Sequence, residues 1–193
     1  MTAVDHLTYG AAWLGFAIVH SATAGASRQT GLGRLFGRWH RLAYNALAVA
    51  QVGGVLAIGV WAGADSRRFA LPGGVVALQY LVLGIGAALA WAALRAYRAG
   101  PFIGLAQLGG EEDDAQPLVT DALHRHMRHP LYTALLCLLW GAVHDELSVA
   151  TAIWCSLYLF IGSIFEERRL VTRYGSAYRV YRETTRRFVP RLF

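Results

Sequence analysis

The chain has 193 residues, enough for one domain, and 55% of them are hydrophobic while only 16% carry charge. That balance is too oily for a soluble protein and places the chain in a bilayer. The net charge of +6 then reads as membrane topology and contact with anionic lipid, and nucleic-acid binding is excluded because no soluble fold is left to present it.

Apolar tracts run over residues 7–26, 42–64, 69–94, 131–143 and 147–165, each bounded by polar or charged residues. Most reach the roughly 17–25 residues that a spanning helix needs. The fourth, with 13 residues, must borrow flanking residues or stop short of the far surface. The expected fold is therefore all-α and integral to the membrane, with about five transmembrane helices. Tracts four and five form a tight helical hairpin turning at "HDE", residues 144–146. Only Asp5 and His6 flank the first tract and no basic residue precedes it, so a cleaved signal peptide is not expected. His20 and Ser21 lie deep in that tract, and Tyr44 with Asn45 near the start of the second. Polar groups at such depth are costly unless paired or facing a cavity, so these residues mark either an interhelical hydrogen bond or a substrate pocket. Cys137 and Cys155 sit inside apolar tracts without a CxxC and read as small core hydrophobes.

All 18 basic residues are arginine, which with the abundant Ala and Gly fits a G+C-rich prokaryotic genome. Sixteen of them follow tracts one, three and five, and only Arg67 and Arg68 fall on the other side. The positive-inside rule then places the N-terminus outside and the C-terminus in the cytoplasm of a prokaryotic inner membrane.

Chemistry is expected in the two long cytoplasmic pieces, residues 95–130 and 166–193. "AGPFIGLAQLGGEEDDAQPLVTD" in the first is an irregular loop by its glycines, prolines and acidic run. With neither a preceding strand nor GK[ST], its "GLAQLGG" is a poor phosphate cradle. In the second, Leu170, Tyr174, Ala177, Tyr178 and Tyr181 recur at helical spacing among arginines, which predicts an amphipathic helix ending before Pro190.

Glu166 and Glu167 stand adjacent at the membrane boundary, where desolvation and mutual repulsion demand a cation. If the helix ends there, its negative pole adds to the demand. Arg168, Arg169 or Arg128 could answer it, and so could a positively charged ligand. In "RHMRHPLY", residues 125–132, Pro130 suits the first position of helix four, where its missing N–H costs nothing. Arg128 and His129 then sit at the helix mouth, on the same rim as Glu166, because the free ends of a hairpin are neighbours. His124, His126 and His129 spell HxHxxH, but without nearby cysteines or a matched acidic pair no metal site is expected.

"RHPLY" at 128–132, a hairpin, "EE" at 166–167 and "YGSAYRVYRETTRRFVP" together resemble the C-terminal half of the isoprenylcysteine carboxyl methyltransferase and phospholipid methyltransferase superfamily. The N-terminal half, with "HSATA" at 20–24, "RWHRLAYNALA" at 38–48 and "FIGLAQL" at 102–108, is similar to the branch containing methanethiol S-methyltransferases and NnrU-type membrane proteins. The resemblance implies a single membrane methyltransferase-like domain over residues 1–193, with a three-helix acceptor-side half (1–94) and a cofactor-binding half (95–193). It implies S-adenosylmethionine as cofactor, held on the cytoplasmic side by the ends of the last two membrane helices and the C-terminal segment, and a small or lipophilic thiol or carboxyl acceptor entering through the bilayer. Carried over by position, Arg128, His129, Tyr132 and Glu166 or Glu167 become cofactor or active-site residues. The candidate site is then Arg128, His129 and Glu167 for catalysis and Gln107, His129, Pro130, Tyr132, Glu166, Glu167 and Tyr178 around the cofactor, with His20, Tyr44 and Asn45, by their depth in the apolar tracts, on the substrate side. The residues around Tyr132 are Leu, Thr and Ala where some members carry a glycine.

The chemistry of these side chains agrees with that implication. A glutamate suits the cofactor's ammonium, an arginine or imidazolium its carboxylate, and tyrosines its sulfonium. Methyl transfer is an in-line displacement that needs alignment and a dry site. A thiol acceptor must also lose a proton, for which His129 is the candidate, with Glu167 second. Two other classes compete. A membrane haem or electron-transfer protein of NnrU type would use the seven histidines, yet only His20 stands clearly at membrane depth. A sterol-reductase-like enzyme would bind NADPH in a similar tyrosine-rich tail, but those chains are about twice as long.

Overall fold

The computed structural model describes residues 1–24, 32–96 and 117–190, and among these the protein is helical with no strand. The helices are α1 (Ala3–Ala24), α2 (Leu32–Phe36), α3 (His40–Ala62), α4 (Gly73–Ala96), α5 (Pro130–Gly141), α6 (Glu146–Tyr174) and α7 (Ser176–Thr184), with short 3-10 turns at Gly37–Trp39 and Ala122–Arg125. Among the described residues three stretches are long and apolar enough to cross a membrane: Gly33–Ala62, Gly73–Arg95 and Glu146–Tyr174. This is an all-α membrane protein. Of the other two expected spans, α1 has the length but carries polar residues such as His20, and α5 is apolar but only 12 residues long.

The described residues form two compact units, one within 1–67 and one within 68–96 and 117–190. In the first, α1 opens with a reciprocal cap: Thr2 N–H donates to Asp5 Oδ2 (2.6 Å) and Asp5 N–H to Thr2 Oγ1 (3.3 Å). Tyr9, Trp13, Phe16 and His20 follow at helical spacing and form a ring ladder, edge-to-face at the first two steps and tilted at the third, with ring centroids 6.2, 5.7 and 5.1 Å apart along the series. The ladder packs on α3. Tyr9 lies so close to Gly59 that a Cβ there would come within 2.6 Å of the ring, and the Tyr44 hydroxyl meets His20 Nε2 at 2.8 Å. The antiparallel pair thus relies on a small residue at one end and a polar bond at the other, the usual means of joining helices where lipid removes the hydrophobic drive.

In the second unit, α4 and α5 approach through glycines. A Cβ on Gly86 would fall 3.0 Å from Cys137 and Leu138, and one on Gly141 2.8 Å from Leu83. The α5–α6 turn falls at the expected place. Asp145 caps α6, accepting from Ser148 N (2.7 Å) while Ser148 Oγ accepts from Asp145 N (2.9 Å). Helix α6 has 29 residues, about 43 Å at ~1.5 Å each, so its last turns outrun a hydrocarbon core of ~30 Å. Helix α5 covers only about 18 Å, and the chain before it, residues 127–129, makes up part of the difference.

The condition on which a helix pole would act on Glu166 and Glu167 is not met: their helix runs on to Tyr174. The following amphipathic helix closes at Thr184, before Pro190 as expected. Gly175, at φ +58, breaks α6 from α7 in a backbone conformation that side-chain-bearing residues rarely adopt. The chain then returns as an extended tail whose carbonyls serve the α5 mouth: Arg128 N–H donates to Arg186 O (2.8 Å) and His129 N–H to Arg187 O (3.0 Å).

Candidate active site

The site grows from that tail. Residues 127–129 and 186–187 pair side by side, with a parallel bridge between Met127 and Arg186. Thr133 Oγ1 donates to Phe188 O (2.7 Å), and the Tyr181 hydroxyl donates to His124 O (2.6 Å). Arg128 Nη1 donates to the carbonyls of Arg182 (3.1 Å) and Thr185. The start of α5, the end of α6, α7 and the tail are therefore stitched together around one spot.

At its centre is Glu167, whose side chain is 4% exposed. Its Oε1 accepts from Arg128 Nε at 2.9 Å and from Arg187 Nε at 3.1 Å, and lies 3.2 Å from His129 Nε2; Oε2 accepts from Arg187 Nη2 at 3.1 Å. One carboxylate thus joins α6 to the α5 mouth and to the tail. Glu166, one residue earlier, points elsewhere: its side chain is 45% exposed, and its Oε2 accepts from the Tyr132 hydroxyl at 2.8 Å and lies 3.6 Å from His129 Nδ1. Neighbours in sequence are 100° apart on a helix, so the EE pair supplies one buried anion and one wet one.

His129 is buried between them. Tyr132 stacks on its ring (centroids 5.1 Å apart, 18° between planes), and Phe188 covers it from the tail at 5.8 Å. Pro130 opens α5 as its first residue and is buried. Tyr178, 1% exposed, packs edge-on against Tyr181, but its hydroxyl has no hydrogen-bond partner among the described residues. Burial first, and then the charge of Glu167, pushes that phenol up to about 12. A buried hydroxyl left unpaired costs roughly 1–3 kcal/mol, and a ligand polar group beside it would recover that loss.

The structure therefore brings Arg128, His129, Pro130, Tyr132, Glu166, Glu167 and Tyr178 into the second unit's cluster. Gln107 lies outside the described residues. His20 and Tyr44 form the interhelical hydrogen bond, the first of the two roles open to them, and Asn45 follows Tyr44 on α3. Sequence reasoning missed Arg187 and Phe188. Both stand in the quoted "RRFVP" stretch, but nothing marked Arg187 among the eight arginines after tract five. Nε2 of His20 is engaged by Tyr44 and Nε2 of His129 by Glu167.

An anion held by two guanidiniums, with an imidazole, a half-exposed carboxylate and a buried phenol around it, is a polar cluster at the end of an apolar hairpin. Comparison with known proteins gives it a context. The chain is similar to methanethiol S-methyltransferases. It is 30% identical over 84 residues to methanethiol S-methyltransferase 1 of Bradyrhizobium diazoefficiens (43% of this chain, 30% of that protein) and 33% identical over 89 residues to methanethiol S-methyltransferase 2 of the same organism (44% and 33%). It is also 30% identical over 76 residues to the methanethiol S-methyltransferase of Pseudomonas deceptionensis (38% and 28%). The chain matches about a third of the length of each relative. No protein-family model and no solved structure matches. The likeness supports the membrane methyltransferase branch to which the RHPLY and EE motifs pointed.

Proposed function

We propose that the chain is an S-adenosylmethionine-dependent membrane methyltransferase acting on a small or lipophilic thiol, with a carboxyl compound as the alternative acceptor. The observation that carries this reading is the convergence of Arg128, His129, Tyr132, Glu166 and Tyr178 on one cluster around Glu167, joined to the likeness to methanethiol S-methyltransferases.

The donor set suits that cofactor. Glu166 has one oxygen turned to Tyr132 and the other without a partner among the described residues, which leaves it available to an ammonium. Arg128 spends Nε and Nη1 on the protein, and its remaining N–H groups suit a carboxylate. The faces of Tyr132 and Phe188 suit a sulfonium, and the Tyr178 hydroxyl suits a ribose or base acceptor. When bound, S-adenosylmethionine supplies an electrophilic methyl group on positively charged sulfur. The protein's contribution is to hold both reactants in line, exclude water with Phe188 and the tail, and take up a proton when the acceptor is a thiol. The arginine distribution supports an orientation with this cluster on the cytoplasmic side of a prokaryotic inner membrane, beside anionic lipid.

Full-length protein in lipid nanodiscs should bind S-adenosylmethionine by calorimetry and transfer a labelled methyl group to members of a thiol panel. Glu166→Ala and Arg128→Ala should abolish transfer. Absence of cofactor binding by folded wild-type protein defeats the reading, and NADPH consumption with a sterol would replace it.

A further inference from the structure

We propose that His129 removes the acceptor's proton through Nδ1, that Glu167 is not a base but a positioning residue fixing the tautomer that makes this possible, and that Glu166 passes the proton to water. This rests on the methyltransferase reading with a thiol acceptor, and it assigns different tasks to the two adjacent carboxylates.

The argument starts at Glu167 Oε1. That oxygen already accepts from Arg128 Nε (2.9 Å) and Arg187 Nε (3.1 Å), and Oε2 accepts from Arg187 Nη2. A carboxylate so placed is ionised and purely an acceptor. His129 Nε2, 3.2 Å from Oε1, must therefore bear the hydrogen. A neutral imidazole has one, so the lone pair resides on Nδ1. Stacked Tyr132 and overlying Phe188 hold the ring in that orientation. The same donors disqualify Glu167 as base, because every donor that holds its charge makes it a poorer proton acceptor.

Nδ1 faces the other carboxylate. Glu166 Oε2 lies 3.6 Å away, beyond good hydrogen-bond length, and is already bonded to the Tyr132 hydroxyl. Among the described residues Nδ1 thus has no hydrogen-bond partner, and it sits in the field of an anion. The charged and titratable groups around the ring are Glu166 and Glu167 from α6, Arg128 beside it, Tyr132 from α5, Arg187 from the tail, and His124 from the turn before α5.

In the step, the acceptor's S–H bond breaks and its proton goes to Nδ1. The electron pair left on sulfur forms the new S–C bond, and the pair of the old S–C bond returns to the donor, which leaves as a neutral thioether. Imidazolium then lies between two carboxylates, and the half-exposed Glu166 can relay the proton outward. A base so placed is worth typically 10²–10⁴-fold.

Two measurements on the full chain in nanodiscs test this. Nitrogen-15 spectra of histidine-labelled, ligand-free protein, with His129 assigned by its loss in His129→Asn, should show Nε2 protonated and Nδ1 bare at neutral pH. The reverse tautomer overturns the proposal. Methyl transfer by His129→Asn should fall at least 100-fold on an alkanethiol, but by less than tenfold on an arylthiol that is already ionised at the assay pH. Glu166→Gln should flatten the acidic limb of the alkanethiol pH profile. Equal losses on both thiols, or no loss on either, overturn the proposal while leaving the methyltransferase reading intact. A wild-type protein that binds no S-adenosylmethionine refutes that reading and the relay with it.

Discussion

Replacing Glu167 with Gln is an isosteric change that removes one charge from the centre of the second unit. Glu167 is 4% exposed and Arg128 9%, while Arg187 is 28% exposed. The variant leaves Arg128 buried without its anion and sets an amide N–H₂ against donors that approach both carboxylate oxygens. Breaking a buried pair by neutralising one partner typically costs about 3–5 kcal/mol. At roughly 2–4 °C per kcal/mol for a chain of this size, the Tm should fall by about 6–20 °C. Glu166→Gln one residue earlier is the control: its side chain is 45% exposed, its amide oxygen can still accept from Tyr132, and the cost should stay under about 1 kcal/mol. Thermal unfolding in nanodiscs, followed by tryptophan fluorescence and far-ultraviolet circular dichroism, separates the two. If both variants melt together, or Glu167→Gln melts with the wild type, the keystone role of Glu167 is wrong.

Tyr178→Phe should leave the unliganded protein as stable as the wild type or stabilise it by up to about 1 kcal/mol, because an unpaired buried hydroxyl is removed. S-Adenosylmethionine binding should weaken about tenfold in the same variant, and unchanged affinity in calorimetry removes Tyr178 from the site. Gly59→Leu should destabilise the α1–α3 pair by at least about 1–3 kcal/mol, since even a Cβ there lies 2.6 Å from the Tyr9 ring, and a melt within 2 °C of wild type contradicts that packing. Burial holds the His124 imidazole below its ordinary value of 6.5, so the unfolded chain takes up this proton at higher pH than the folded one. Its contribution to stability is therefore complete above pH 6.5 and declines as pH falls below it. His124→Gln should lose less stability than the wild type between pH 7.5 and 5, and parallel melting curves would count against it.

Some of this was legible before any coordinates. The helical hairpin at residues 144–146 follows from two apolar tracts too close for any other connection, and Asp145 and Ser148 cap it as residues of their kind do. Pro130 marked the start of α5 because proline loses nothing at a first helical position. The meeting of Arg128 with the EE pair follows from the same hairpin, whose two free ends must be neighbours. These are local or nearest-neighbour consequences, set by periodicity, helix length and backbone chemistry.

What the tertiary structure alone decided is the partition of tasks inside the cluster. Glu166 and Glu167 are chemically identical in the sequence, and only the packing of the tail makes one a buried anion held by two guanidiniums and an imidazole and the other an exposed acceptor. Arg187 was one of many arginines until Gly175 reversed the chain and set it against Glu167, 20 residues away. Long-range pairing depends on where a turn aims the chain and on which side chain reaches a buried charge first, and neither is written in the spacing of residue types along a helix.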